Sequence, residues 1–293
     1  MCSEHSERGV KMNSLVVENL SKTYEKFKLE NISFSIPKGY IMGFIGENGA
    51  GKTTTINSLL NVIKKDSGTV TVFGKNMDEN ELELKKNIGF VSGESFYPKS
   101  KVKDVTNVYR RFFEGWDQEA YQSYMTQYDI DSSKTIDQLS KGMKMKYSLA
   151  LAMSHKAELL ILDEPTSGLD PVARDNLLEV FQSIVEEGNV SILFSTHITS
   201  DLEKCADYIT FIQKGKMIES SSKDDLIDKY RIVTGSIDNL DLIKDKLVSY
   251  KTNSFGFNGL IKTDEVVESD SIKYGQPSLD DIMIYYANKE DKK

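Results

Sequence analysis

The chain has 293 residues, 39% of them apolar, with 37 Lys and Arg against 45 Asp and Glu, a formal net charge of −8 at pH 7. That length supports one large domain or two modest ones around a real core, and the acidic balance argues against nucleic acid as a partner, which wants clustered Lys and Arg. Two cysteines, Cys2 and Cys205, make no disulfide framework and fit a reducing compartment, and no apolar run approaches the about 18–20 residues of a membrane span.

The first eleven residues are polar and lack the apolar stretch of a secretion signal or lipid anchor, so 1–11 reads as a disordered tail and ordered sequence begins at Met12. From residue 14 to about 220, short apolar runs alternate with amphipathic stretches, the pattern of a layered α/β domain. Residues 16–17, the alternating 32–36 and 70–73 predict strands, with Gly74 closing a turn. Residues 40–45 predict a buried strand, followed by a glycine-rich turn and a helix from Thr53 to about residue 63. Between about 96 and 153 strand signals vanish and aromatic residues such as Tyr109, Phe112, Trp116 and Tyr121 mingle with helix formers, which predicts an inserted helical subdomain. Those aromatics read as subdomain core, with a docking face for another protein's helix as the alternative. Strands return at 159–162 and 191–194, bracketing a helix with Leu177, Leu178, Phe181, Ile184 and Val185 on one face. Two short strands near 209–212 and 217–218 close this part at about residue 220. Residues 221–293 shift towards Ser, Lys and Asp and predict a small α+β extension. Its clearest element is a final helix with Ser278 and Asp281 as a capping box and Leu279, Ile282, Met283 and Tyr286 on one face.

Gly46-Glu47-Asn48-Gly49-Ala50-Gly51-Lys52-Thr53 matches G-x-x-x-x-G-K-[ST] between a strand and a helix, the context that the mechanism demands. Glycines let the backbone wrap phosphates and aim successive amides at them, and the helix start, where Thr54 follows, adds partial positive charge. Lys52 is placed to neutralise β and γ oxygens, and Thr53 to ligate Mg²⁺. Residues 159–162 form an apolar strand ending in Asp163 and Glu164, 111 residues after Lys52. In a parallel sheet that strand end lies beside the phosphate loop, so Asp163 can hold Mg²⁺ through water while Glu164 polarises the attacking water.

Leu139-Ser140-Lys141-Gly142-Met143 lies before these carboxylates, Ser167-Gly168-Leu169-Asp170-Pro171 just after them, and Ser195-Thr196-His197 beyond. With the phosphate loop, this order over residues 14 to about 220 resembles the ATP-binding subunit of an ABC transporter, and looks closest to bacterial exporter ATPases linked to antibiotic resistance and peptide-toxin export. The resemblance implies a P-loop NTPase core with an antiparallel β subdomain and the inserted helical subdomain, an ABC ATP-binding domain over 12–220. It implies that Ser140 and Gly142 open a helix facing the γ-phosphate bound by a second subunit, that Asp170 crosses the dimer interface, and that His197 contacts the γ-phosphate and orients the water. An aromatic residue before the first core strand stacks on adenine in this family; Tyr24 is the first candidate and Phe27 the second, with core packing the alternative for both.

Two positions depart from the family pattern. Gly93 stands where a Gln usually touches Mg²⁺ and senses the membrane partner; Glu94 beside it reads either as a substitute metal contact or as a solvated loop carboxylate. Lys141 and Met143 replace the usual Gly and Gln. Asn288-Lys289-Glu290-Asp291 matches a guanine-reading pattern but follows the last helix, where no strand end presents it to a base, so the nucleotide reads as ATP. The resemblance implies an ATPase that dimerises around two ATP molecules, a homodimer being favoured. It would drive a separate polytopic permease from the cytoplasmic face of the cell membrane. The competing readings are a soluble non-transport ATPase of the same superfamily acting on a macromolecular machine and a non-hydrolysing ATP-responsive module.

Overall fold

The computed structural model describes residues 12–92, 97–186, 189–267, 269 and 271–289. The tail expected over 1–11, the departures at Gly93 and Glu94, and Glu290 and Asp291 of the dismissed guanine pattern lie outside the described residues.

In chain order the strands and helices are β1 (Asn13–Thr23), β2 (Lys28–Pro37), β3 (Ile41–Ile45), α1 (Lys52–Leu59), β4 (Ser67–Val72), β5 (Lys75–Asn76), α2 (Glu81–Lys85), β6 (Ile88–Ser92), α3 (Val102–Tyr109), α4 (Gln118–Gln127) and α5 (Lys141–Ser154). They continue with β7 (Leu159–Asp163), α6 (Pro171–Glu186), β8 (Ser191–Thr196), α7 (Thr199–Cys205), β9 (Tyr208–Gln213), β10 (Lys216–Ser222) and α8 (Lys223–Asp228). The last are β11 (Tyr230–Gly235), β12 (Leu247–Asn253), β13 (Gly256–Lys262), β14 (Ile272–Gly275) and α9 (Leu279–Lys289).

One sheet runs β5-β4-β1-β2-β10-β9-β3-β8-β7-β6. Its β9, β3, β8, β7 and β6 are parallel neighbours, whereas β5, β4, β1 and β2 form an antiparallel flank, with Val17 opposite Phe34 and Val70. The parallel strands are covered on both faces, which is why β3 is buried at every residue and reads as a continuous apolar run, while β2 alternates. The expected α/β architecture with an antiparallel part and inserted helices is the one observed.

The helix after the glycine-rich loop ends at Leu59, short of the expected residue 63. Asn61 takes a left-handed φ of 53°, and the amides of Val62 and Ile63 both fold back onto the Asn57 carbonyl. Asn tolerates that conformation and closes the helix as a glycine would.

Residues 97–154 supply α3, α4 and α5 around a cluster containing Val102, Tyr121, Met125, Tyr128, Tyr147 and Leu151. Thr106 Oγ1 lies 2.8 Å from the hydroxyls of both Tyr121 and Tyr147. Phe112 is exposed, and Phe113 stacks on His155 with centroids 3.9 Å apart. Most of the aromatic set is therefore interior, as the composition suggested. α5 has two apolar faces, for its Met145, Leu149 and Ala152 join the core beneath the large sheet instead.

After α8 a second, antiparallel sheet of order β12-β13-β11-β14 follows, and α9 packs between it and the first core. Ser278 and Asp281 form the expected capping box: the Asp281 amide donates to Ser278 Oγ at 3.1 Å and the Ser278 amide to Asp281 Oδ2 at 3.0 Å. Leu279 and Ile282 are buried, with Met283 and Tyr286 half-buried against the same cluster.

Candidate functional site

The loop between β3 and α1 is shaped by its glycines. Gly51, the residue before α1, has φ of 113°, and a Cβ on Gly46 would lie 2.4 Å from the Ile212 carbonyl oxygen. Among the described residues no side chain caps α1, so its first amides are left for an anion. Lys52 is buried, and its Nζ donates to the carbonyls of Gly46 at 2.7 Å and Glu47 at 3.2 Å. Its third contact is Glu164 Oε1 at 3.1 Å.

The parallel register brings the carboxylates to the loop. β7 ends at Asp163, which pairs with Ser195 on β8. Ser195 Oγ donates to Asp163 Oδ1 at 2.6 Å and accepts from the Glu164 amide at 2.9 Å, while Thr53 Oγ1 donates to Asp163 Oδ2 at 2.9 Å. Glu164 has φ of 51°, so the chain turns sharply there and sends the two carboxylates different ways. Glu164 Oε2 meets His197 Nδ1 at 2.9 Å. A hydroxyl and a carboxylate side by side at the loop mouth are hard oxygen donors that fit Mg²⁺, which takes few protein ligands and fills the rest with phosphate and water.

A cleft of about 630 Å³ fronts the loop, lined by Tyr24, Phe27, Asn48, Gly49, Lys52, Thr53, Thr54, Glu164, Ser167 and His197 among others. Tyr24 is 42% exposed with Lys22 Nζ 5.6 Å from its ring centre, whereas Phe27 packs behind Gly51 against the core. Of the two aromatic candidates, Tyr24 keeps the freer ring. Within the loop, Glu47 is exposed and Ala50 buried.

Ser140, Gly142 and Asp170 do not line this cleft. Ser140 caps α5, its Oγ accepting from the Met143 amide at 3.2 Å, and both Ser140 and Asp170 are exposed. Asp170 Oδ1 accepts from the amides of Val172 and Ala173, each at 3.0 Å, at the start of α6. The Lys141 side chain lies over Gly168.

Sequence reasoning missed the buried polar residues behind the site. Thr166 Oγ1 donates to Asp201 Oδ2 at 2.6 Å, with Arg174 Nε 3.9 Å from the other carboxylate oxygen. Burial raises the Asp201 carboxyl above the ordinary range against the opposing pull of Thr166 and Arg174. A short acidic helix following Ser195-Thr196-His197 was the available signal.

Residues 29–167 match the family described as ABC transporter. The chain is 34% identical to the bacitracin transport ATP-binding protein BcrA of Bacillus licheniformis, across 73% of this chain and 71% of that protein. It is 33% identical to the lantibiotic transport ATP-binding protein SrtF of Streptococcus pyogenes, across 72% and 91% respectively. A solved structure of an ATP-binding subunit of an ABC transporter superposes with a TM-score of 0.65 at 25% identity, covering 72% of this chain and 91% of that one.

Proposed function

The chain belongs to the ATP-binding subunits of ABC transporters, ATPases coupled to transport, and from that premise we propose how its own residues do the work and what they drive. Two copies close head-to-tail, each loop holding one ATP and the partner's Ser140 and Gly142 facing its γ-phosphate across the gap, with Asp170 at the interface. The loop amides and Lys52 hold the phosphates, with Glu47, Asn48 and Thr54 completing the cradle and Tyr24 the adenine platform. Thr53 and Asp163 hold Mg²⁺, which supplies charge neutralisation of the phosphates when bound. Glu164 takes the proton of the attacking water, and His197 orients both. Phosphoryl transfer leaves the protein mainly placement and charge to supply, and Glu164 already stands within hydrogen-bonding distance of Lys52 and His197, as Thr53 does of Asp163.

The machine driven is a separate polytopic permease, which would hold the chain at the cytoplasmic face of the membrane. The names of BcrA and SrtF, bacitracin and lantibiotic transport, support export of amphipathic peptides or drugs. Among the described residues no helix is long and apolar enough to cross a membrane. The observation that carries the reading is Glu164 joined to Lys52 on one oxygen and His197 on the other. Glu164→Gln should bind ATP yet accumulate as a dimer on size exclusion with Mg²⁺, with phosphate release near background; wild-type turnover in that variant removes Glu164 from the mechanism.

A further inference from the structure

α7 begins two residues after His197 and is gripped from three directions. Towards β3, Leu202 fills the space over Gly43, where a Cβ would come within 2.1 Å of Leu202 Cδ2. Behind Glu164, buried Asp201 holds Thr166. On the third side stands α9, from the C-terminal part of the chain. Asp280 accepts a hydrogen bond from Thr199 Oγ1 at the first residue of α7, and Glu203 of α7 accepts one from the Leu279 amide at 3.2 Å. Each helix thus steadies the start or flank of the other, and Leu279 and Ile282 share a hydrophobic cluster with Leu202.

α9 does not need the Asp280 side chain for its own beginning. Its capping box is Ser278 with Asp281, and the Leu279 amide is met by Glu203. The Asp280 carboxylate is directed instead at Thr199, which is 6% exposed. The step from Thr199 back to His197 is two residues long, and the Ile198 amide between them donates to Thr196 Oγ1 at 3.0 Å at the end of β8. Thr199 and His197 thus flank a residue tied to the end of β8, a path by which a shift of Thr199 can reach the imidazole.

We infer that Asp280 is a positioning residue for ATP hydrolysis. Acting through Thr199, it fixes the start of α7 and so the place of His197 against Glu164, an inference that rests on the assignment of those two residues to the attacking water. The C-terminal part of the chain thereby sets the turnover rate without touching the nucleotide.

The test uses the full 293-residue chain with Asp280→Ala, Asp280→Asn, Thr199→Val, Thr199→Ser, His197→Ala and the Asp280→Ala/His197→Ala pair. Three quantities are read: phosphate release at saturating ATP, affinity for a fluorescent ATP analogue, and the His197 ring signal in NMR, assigned by its loss in His197→Ala. Asp280→Ala and Thr199→Val should each lower kcat by about fivefold to tenfold with affinity within twofold of wild type. Thr199→Ser should restore the rate, and Asp280→Ala should add nothing in the His197→Ala background. The ring signal should move in Asp280→Ala and Asp280→Asn and stay put in Lys251→Ala, an exposed control on β12. An unmoved ring signal overturns the inference, as does a loss that multiplies in the His197→Ala background. Wild-type turnover of His197→Ala would instead remove His197 from the chemistry, while the ring signal would still decide whether Asp280 positions it.

Discussion

Glu164→Gln should raise the affinity for ATP even where no hydrolysis and no dimer closure can occur. The Lys52 ammonium has three protons, and all three have partners: the Gly46 carbonyl at 2.7 Å, the Glu47 carbonyl at 3.2 Å and Glu164 Oε1 at 3.1 Å. A phosphate oxygen that takes one of those protons must displace a partner. The two carbonyls are fixed by the loop itself, so the carboxylate is the one that yields. With Lys52 5% and Glu164 24% exposed, the pair lies between a solvated surface bridge and a sealed one, and breaking it costs about 1–2 kcal/mol. Removing the charge therefore gains about fivefold to thirtyfold in affinity. Fluorescence titration of a dilute sample in EDTA reads that gain directly. Adenosine, which offers no phosphate to Lys52, should show none. Equal or weaker ATP binding by Glu164→Gln would refute competition between Glu164 and the nucleotide for Lys52.

Two other substitutions probe the loop and the buried network. Gly46→Ala would set a methyl against the Ile212 carbonyl and Ala50 Cβ, neighbours that cannot give way, so ATP binding should fall by about a hundredfold or more in the same titration. Retained affinity would show that the loop tolerates displacement. For Asp201→Asn the expected signature is a pH dependence. Burial raises the folded carboxyl above its unfolded value, so the stability contributed by Asp201 is complete below the unfolded pKa of about 3.9 and is lost as pH rises through the folded one. The melting temperature of wild type relative to Asp201→Asn should accordingly decline from about pH 4 towards neutrality. A difference that is flat or grows with pH would contradict that sign.

How much was legible follows from which forces are local. β3, β7 and β8 announce themselves because burial on both faces demands unbroken apolar runs. The C-terminal part reads as α+β, but its individual strands stayed hidden, because Ser, Lys, Thr, Asn and Gly interrupt the apolar residues of β12 and β13, and because Gly259 is needed where a Cβ would press within 3.0 Å of the Ser249 carbonyl. In the site, Lys52, Thr53, Asp163 and Glu164 are set by spacing within single motifs. Ser195 bonds Asp163 only through the register between β7 and β8, and Asp201 reaches Thr166 from 35 positions away. Such partners are written in the packing, and no periodicity exposes them.

The two-faced α5 has a mechanical consequence. Its C-terminal half is bolted into the core, where Gly89 of β6 makes room for Ala152, while its N-terminus carries Ser140 into the open. Fourteen residues make a rod roughly 21 Å long, so a tilt of about 5° at the anchored end swings the tip by roughly 2 Å. That is enough to make or break a hydrogen bond, and the subdomain residues packed on Met143 and Tyr147 would ride with the same helix without its melting.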